Sequence, residues 1–361
     1  GDILWVTSGE LKKRTIADTI EKISEDAAQK SNLTMYDPGT VAIAIYGLEA
    51  AGIRGTASIV GKRCTISQAC MAFTEFNGVD NEFMYYWYLN NGQIIGLRYA
   101  QGTKQQNLST DIVGAFPICY PEIREQREIA KILTTQDKVI ELKEKLLEEK
   151  QQQKKYLMQQ LLTGKKRLPG FDGEWTHVRA NQIFKNVTDK KHDGTLEVLS
   201  ATQDRGIIPR SQVDIDIKYA EESLTGYKKV VKGNFVISLR SFQGGIEYSE
   251  YTGIVSPAYT VLTSICPIED NYYRQFFKSA DYINRLNIAV YGIRDGKQIS
   301  YDDFGRIKIP YPPLDEQKAI AAVLATADKE IEILKRALEQ EKQKKKALMQ
   351  LLLTGIVRVS V

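Results

Sequence analysis

Residues 122–164 (EIREQREIAKILTTQDKVIELKEKLLEEKQQQKKYLMQQLLTG) return as residues 313–355 (PLDEQKAIAAVLATADKEIEILKRALEQEKQKKKALMQLLLTG) at a constant shift of 191, without a gap and with 22 identical pairs in 43. A duplication this long restricts the chain to architectures with two equivalent long elements. Apolar residues recur three and four apart, at Ile129, Leu133, Ile140 and Leu147 and again at Ile320, Leu324, Ile331 and Leu338. That spacing is the seam of a helix packed on another helix. Neither copy contains an internal Gly or Pro, and about 40 residues at a rise of ~1.5 Å make a rod of roughly 60 Å. Each seam is too narrow to be surrounded by a globular core and too polar for a membrane, so each rod is expected to pack on the other. Both copies end in Leu-Leu-Thr-Gly, which reads as a C-cap with Gly164 and Gly355 in the left-handed conformation.

The stretches between the helices repeat more loosely. Asp37 to Ile45 aligns with Val231 to Leu239, Thr65 to Ala69 with Ile254 to Ala258, and Ser109 to Pro121 with Ser300 to Pro312. Strand-like runs lie at Val41 to Tyr46, Ser58 to Val60 and Ser67 to Phe73, and a helix is expected at Glu82 to Leu89. The resulting expectation is an α+β protein in which two mixed α/β domains are separated by two long antiparallel helices, with a pseudo-two-fold internal repeat. Its segments are 1–121, 122–164, 165–312, 313–355 and a tail at 356–361. Gly1 corresponds to about Thr195, so residues 165–194 have no counterpart in the first unit. The chain is expected to begin mid-domain, either because the gene product is longer or because the first domain is truncated.

Composition excludes more than it proposes. With 361 residues, 43% hydrophobic and 26% charged, the chain is long enough for two real cores. A net charge of only +4 does not by itself announce a nucleic-acid binder. Cys64, Cys70, Cys119 and Cys266 have no CxxC spacing and there are two histidines, which argues against a zinc site and a disulfide framework and for a cytosolic, cytoplasmic protein. No signal peptide or 18-residue apolar run occurs. Phosphate-loop, HExxH, GxSxG and dinucleotide fingerprints are missing, as is the Asp/Asn-Pro-Pro-aromatic tetrapeptide of amino-methyltransferases. The chain is expected to have no catalytic residues, metal or cofactor of its own.

Polar loops before the last strand of each unit are the candidate binding residues: Thr103, Lys104, Gln105, Gln106 and Asn107 in one, Arg294, Lys297 and Gln298 in the other. Gln and Asn can pair with adenine N6 and N7, and Arg or Lys with guanine O6 and N7, which is the inventory of a major-groove reader. A second patch, Ser238 to Ile246, offers Arg240, Ser241 and Gln243 with Tyr248 nearby, and its glycines permit a tight turn or a close approach to a ligand. Its counterpart in the first unit carries Arg54, followed by Lys62 and Arg63. Plain solvated loops, a hairpin turn and solvated charge are the blander readings of the same residues. Tyr85, Tyr86, Trp87, Tyr272 and Tyr273 read as core rather than as base-stacking platforms, and His177 and His192 as surface residues. Lys154, Lys155 and the run Lys342 to Lys346 read as a solvated helix face. Asp137-Lys138 and Asp328-Lys329 recur outside the apolar seam, which makes them the candidate surface for a partner that meets both helices.

Two diverged units, each followed by a near-identical helix with Glu-Gln at its start (Glu125-Gln126, Glu316-Gln317) and Leu-Leu-Thr-Gly at its end, resemble a type I restriction-modification specificity subunit over essentially the whole chain. Tyr311-Pro-Pro-Leu-Asp-Glu-Gln317 is similar to that family's junction between recognition domain and helix, and Leu168-Pro-Gly-Phe-Asp-Gly-Glu-Trp175 to its domain entry. Tyr120-Pro-Glu-Ile-Arg-Glu-Gln126 departs from the junction at the second Pro and the Leu. The resemblance implies two target recognition domains, each binding one half of a split asymmetric site in double-stranded DNA. It also implies helices that dock two methyltransferase subunits, which carry S-adenosylmethionine, and restriction subunits joined through them. A coiled-coil scaffold with two peptide- or protein-binding domains is the competing reading.

Overall fold

The computed structural model describes residues 1–74, 77–102, 104–213, 221–289 and 299–360, with the backbone alone at 221–223, 242 and 289. The chain forms two compact units: residues 1–145 with 335–361, and residues 146–334. The first long helix, Ile123–Leu161, and the second, Leu314–Leu353, each contribute one part to either unit. No described helix is long and apolar enough to cross a membrane.

Unit one is built on a four-stranded sheet in the order Thr15–Ile16, Ala57–Val60, Val41–Ala44, Cys70–Phe73. Val41–Ala44 runs antiparallel to both neighbours, with Val41 opposite Ile59 and Phe73. A three-stranded sheet, Lys22–Ile23, Ile3–Val6 and Cys64–Ile66, lies beside it in the chain. The run expected as one strand at Ser67 to Phe73 is shorter, because a turn at Ser67, whose hydroxyl accepts from Ala69 N at 3.3 Å, delays it to Cys70. The expected helix at Glu82 to Leu89 extends over Asn81–Tyr99. Two glycines permit the extension: a Cβ on Gly92 would lie 2.9 Å from Gly55 Cα, and one on Gly96 would lie 2.6 Å from Arg54 Cγ. They serve as small residues on the face where the 52–55 turn presses against the helix, and the turn, not a helix end, explains them.

Unit two repeats the central pattern. Phe235–Ile237 lies between Glu247–Tyr248 and Thr260–Ser264, and Phe184–Val187 completes an antiparallel sheet outside the latter. Thr176–Arg179 pairs with Lys308–Tyr311. Both Phe184–Val187 and Thr176–Arg179 belong to the stretch that has no counterpart in unit one. Pro117 to Tyr120, the equivalents of Lys308–Tyr311, are in no strand. Tyr272, Tyr273, Phe276, Phe277 and Tyr282 stack edge-to-face and tilted around Phe184 and Phe235, all essentially without solvent exposure.

The helices differ from the expectation of a seam shared by the two helices alone. Ile129 and Leu133, with Met349, Leu352 and Leu353, sit inside the core of unit one. Ile320 and Leu324, with Leu161 and Leu162, sit inside that of unit two. Each globular core is therefore closed by the start of one helix and the end of the other. Burying a Leu or Ile there is worth about 1.5–3 kcal/mol per side chain, so the helices are structural parts of the domains. Both helices end as expected, Gly164 at φ +71° and Gly355 at φ +73°.

Candidate nucleic-acid and partner interfaces

The duplicated Glu-Gln is the joint between helix and domain, and all four side chains are buried. Gln126 Oε1 accepts from the backbone N of Asp80 at 2.8 Å, and Asp80 caps the helix Asn81–Tyr99 through Glu82 N and Phe83 N. Gln317 Oε1 accepts from Glu269 N at 2.9 Å, and Glu269 caps Asp270–Phe276. The preceding glutamates take the cation that follows the opposite helix's C-cap. Arg358 donates to both oxygens of Glu125, and Arg167 to both of Glu316. Arg358 and Arg167 are equivalent at the 191 shift. Bidentate guanidinium–carboxylate pairs are among the strongest polar contacts available to a protein. The Arg358 bond holds the Glu125 carboxyl below its ordinary range.

About three turns further in, the aspartates expected at a partner surface are engaged inside their units. Asp137 accepts from Tyr86 Oη at 2.6 Å and pairs with Lys345 at 2.6 Å. Its equivalent Asp328 accepts from Gln275 Nε2 at 2.7 Å and pairs with Lys154 at 2.6 Å. Tyr86 and Gln275 both stand six residues beyond their helix caps, so each aspartate ties a domain helix to the two long helices. This corrects the expectation that both aspartates face outward, and that Lys154 and Lys345 are solvated charge. Lys138 and Lys329 are exposed and keep that part of the surface. Glu144 with Lys342 at 2.6 Å and Glu330 with Lys150 at 2.9 Å add antiparallel cross-helix pairs, one in each unit.

The candidate loop of unit one is closed by backbone bonds between Gln101 and Asn107. Lys104 and Gln105 are exposed, whereas Asn107 Oδ1 accepts from Gly47 N at 3.2 Å and Gln106 Oε1 accepts from Arg54. The structure thus brings Arg54 to the loop but uses Arg54, Gln106 and Asn107 to hold its shape, leaving Lys104 and Gln105 as its outward polar groups. Lys62 and Arg63 are exposed, the latter 3.6 Å from Glu25. Thr103, Arg294, Lys297 and Gln298 lie outside the described residues.

In unit two the hairpin of the blander reading is present, Phe235–Ile237 pairing with Glu247–Tyr248, and its connection holds one helical turn, Ser241–Gly244, followed by Gly245 at φ +81°. Arg240 and Gln243 are exposed. Ser241 and Tyr248 are not: the Ser241 hydroxyl accepts from Ser238 N at 2.8 Å, and Tyr248 donates to Asp270 at 3.1 Å beneath Arg274. Their hydroxyls are needed by the fold, because a buried donor left without an acceptor is costly. All five aromatics read as core are buried. His177 is exposed, while His192 bonds Tyr227 O and Gly194 N.

A sequence model described as the type I restriction modification DNA specificity domain matches residues 1–152 and 173–342. The chain belongs to that family. Within it, the chain is 27% identical over 279 residues to a Methanocaldococcus jannaschii protein assigned as the MjaX type I restriction enzyme specificity subunit, covering 72% of this chain and 63% of that relative. It is 26% identical over 323 residues to the MjaVIII type I restriction enzyme specificity subunit of the same organism, covering 83% and 76%. The fold is that of a Type-I restriction-modification system S subunit from M. genitalium (TM-score 0.57, 15% identity, 98% and 88% covered) and of the HsdS subunit from Thermoanaerobacter tengcongensis (TM-score 0.53, 19% identity, 98% and 91% covered). It is also that of a chain from a structural study of complex assembly and conformational transition of the type I R-M system (TM-score 0.62, 18% identity, 97% and 91% covered). Each matched stretch lies within one copy of the internal repeat.

Proposed function

We propose that this specificity-family chain is the non-catalytic DNA-reading subunit of a type I restriction-modification complex. Each globular unit reads one half of an asymmetric bipartite site, and the long helices carry two copies of one methyltransferase subunit. The observation that carries the reading is the contrast within each repeat. Glu-Gln, its arginine and the aspartate–lysine pair recur at a shift of 191, while the loops between the helices differ in sequence. A constant frame suits one partner met twice, and diverged loops suit two different half-sites. Restriction subunits would join through the methyltransferase subunits, which supply S-adenosylmethionine and the methyl-transfer chemistry.

Exposed Lys104, Gln105, Lys62 and Arg63 in unit one and Arg240 and Gln243 in unit two are assigned to DNA. Arg54, Gln106 and Asn107 shape the first loop. Lys138 and Lys329 are assigned to the methyltransferase subunits. Sequencing methylated bases in the host with and without this gene tests the reading. A two-part methyladenine motif that disappears with the gene is expected, and an unchanged methylome contradicts it. The scaffold alternative predicts no salt-dependent binding of duplex DNA, whereas a phosphate-contacting protein loses affinity linearly in log salt.

A further inference from the structure

Lys278 lies just beyond the helix Asp270–Phe276, and its ammonium has three acceptors: Gly244 O at 2.8 Å, Gln203 O at 3.2 Å and Glu247 Oε1 at 2.5 Å. An ammonium has three protons, so this one is fully engaged. The carboxylate is buried and the lysine side chain about three-quarters so. The two carbonyls belong to connections far apart in the chain, the turn Gln203–Arg205 joining Leu199–Thr202 to Gly206–Pro209, and the helical turn Ser241–Gly244. Small residues let them meet. A Cβ on Gly244 would lie 2.8 Å from Gln203 Cγ, and one on Gly245 would lie 2.0 Å from Phe277 O. The outward side chains of the two docked turns are Gln203, Asp204, Arg205, Arg240 and Gln243, all exposed, with Arg205 3.8 Å from Asp204 and donating to Gln212 O at 3.1 Å. Among the described residues of unit one there is no such centre at the equivalent sheet position. There Ser58, opposite Ala42 as Glu247 is opposite Val236, gives its hydroxyl to Lys13 O at 2.6 Å.

We infer that Lys278 is a positioning residue that locks the turn Gln203–Arg205 against the segment Arg240–Gly244, making Gln203 and Arg205 base readers of the same DNA half-site as Arg240 and Gln243. Two amides and two guanidiniums match the adenine and guanine edges of the major groove, and the Asp204 carboxylate between Gln203 and Arg205 can accept from a cytosine amino group. Their spacing is set by one largely buried ammonium, so the lysine acts on specificity through the turns and touches no base. The inference rests on the proposal that unit two reads DNA, and the test separates the two.

The experiment compares methylomes of host strains carrying the wild-type chain or Arg240→Ala, Gln203→Ala, Lys278→Met or Lys278→Arg. Gln203→Ala is a surface change that leaves the ammonium's bonds to backbone intact, so it reports even if Lys278→Met fails to accumulate. Gln203→Ala and Lys278→Met are expected to relax the same half of the motif as Arg240→Ala. Preference for the wild-type base should fall about 5- to 150-fold at the affected positions, with the other half untouched. Lys278→Arg, which can still donate to the carbonyls, should restore most of the preference. Relaxation by Arg240→Ala alone, with Gln203→Ala silent and Lys278→Met lowering only the amount or thermal stability of the chain, overturns the positioning role and leaves DNA reading standing. Unchanged motifs with weaker co-purification of another subunit make the surface protein-facing and overturn the inference. A wild-type strain with no motif beyond the gene deletion sinks the underlying reading and this one together.

Discussion

The two units carry the same clasp at different depths. In unit two, Glu316 is fully buried, takes Arg167 at 2.6 Å through both oxygens and also accepts from the Trp175 indole at 2.8 Å, with the guanidinium 5.3 Å from the Trp175 ring. In unit one, Glu125 takes Arg358, whose side chain is 68% exposed, and the backbone N of Val359 at 3.2 Å. Trp175 covers the second clasp, whereas the guanidinium of the first stands largely in solvent. Repetition preserved the bonds that fix helix to domain and let their surroundings, and the loops above, go separate ways.

The sharpest way to break that comparison is to remove each arginine. Arg167→Ala leaves the Glu316 carboxyl buried with one remaining donor and should cost unit two about 3–5 kcal/mol, whereas Arg358→Ala removes a guanidinium that stands largely in solvent and should cost unit one less. Hydrogen exchange in the full chain, read separately in residues 1–145 and 146–334, measures both, and equal losses would end the claim that the clasps differ. Next in size is reading. Gln105→Ala and Gln243→Ala should each lower discrimination by about 1–3 kcal/mol at one half-site and leave the other alone, measured by titrating duplexes altered in one half. Tyr86→Phe removes the hydroxyl that Asp137 accepts and should cost unit one about 1.5 kcal/mol, seen as a lower urea midpoint. A smaller loss from Gln275→Leu is expected because Asp328 is more open to solvent.

The smallest effect is acid dependence. The Glu125 carboxyl is held below its ordinary range by Arg358, so its folded form binds a proton less readily than its unfolded form. The resulting stabilisation is present above the ordinary glutamate range and is lost as pH falls through the depressed value. The gap in unfolding temperature between wild type and Arg358→Ala should therefore shrink from about pH 6 to about pH 3. A gap that does not change with pH would mean the pair contributes nothing to unit one.

The frame was legible in the sequence because a 43-residue repeat with period-3.6 apolar spacing admits few structures, and because glycine after Leu-Leu-Thr announces a left-handed cap. The loops were legible only as places. Polar residues look alike whether they face solvent or hold a turn, so Ser241, Gln106 and Asn107 could not be told from Gln243 and Gln105 without knowing which backbone group each meets. Asp137 was misread for a related reason: a charge outside an apolar seam can still be turned inward when a tyrosine hydroxyl and a lysine wait there. The Glu-Gln signature was visible as a pattern, but its work depends on Asp80, Glu269, Arg167 and Arg358, which the folded chain brings from elsewhere in the sequence. Gln203 and Arg205 carried no signal, since a turn between two short strands is ordinary until Lys278 joins it to the neighbouring one.

The central claim is that one frame holds two independent readers. The most direct test is a pair of methylomes, one from a strain with Lys104→Ala and Gln105→Ala, the other from a strain with Arg240→Ala and Gln243→Ala. The account predicts that each pair relaxes a different half of a single bipartite motif and that the number of unread base pairs between the halves stays the same in both. Relaxation of the same half by both pairs, or of both halves by either, would contradict it.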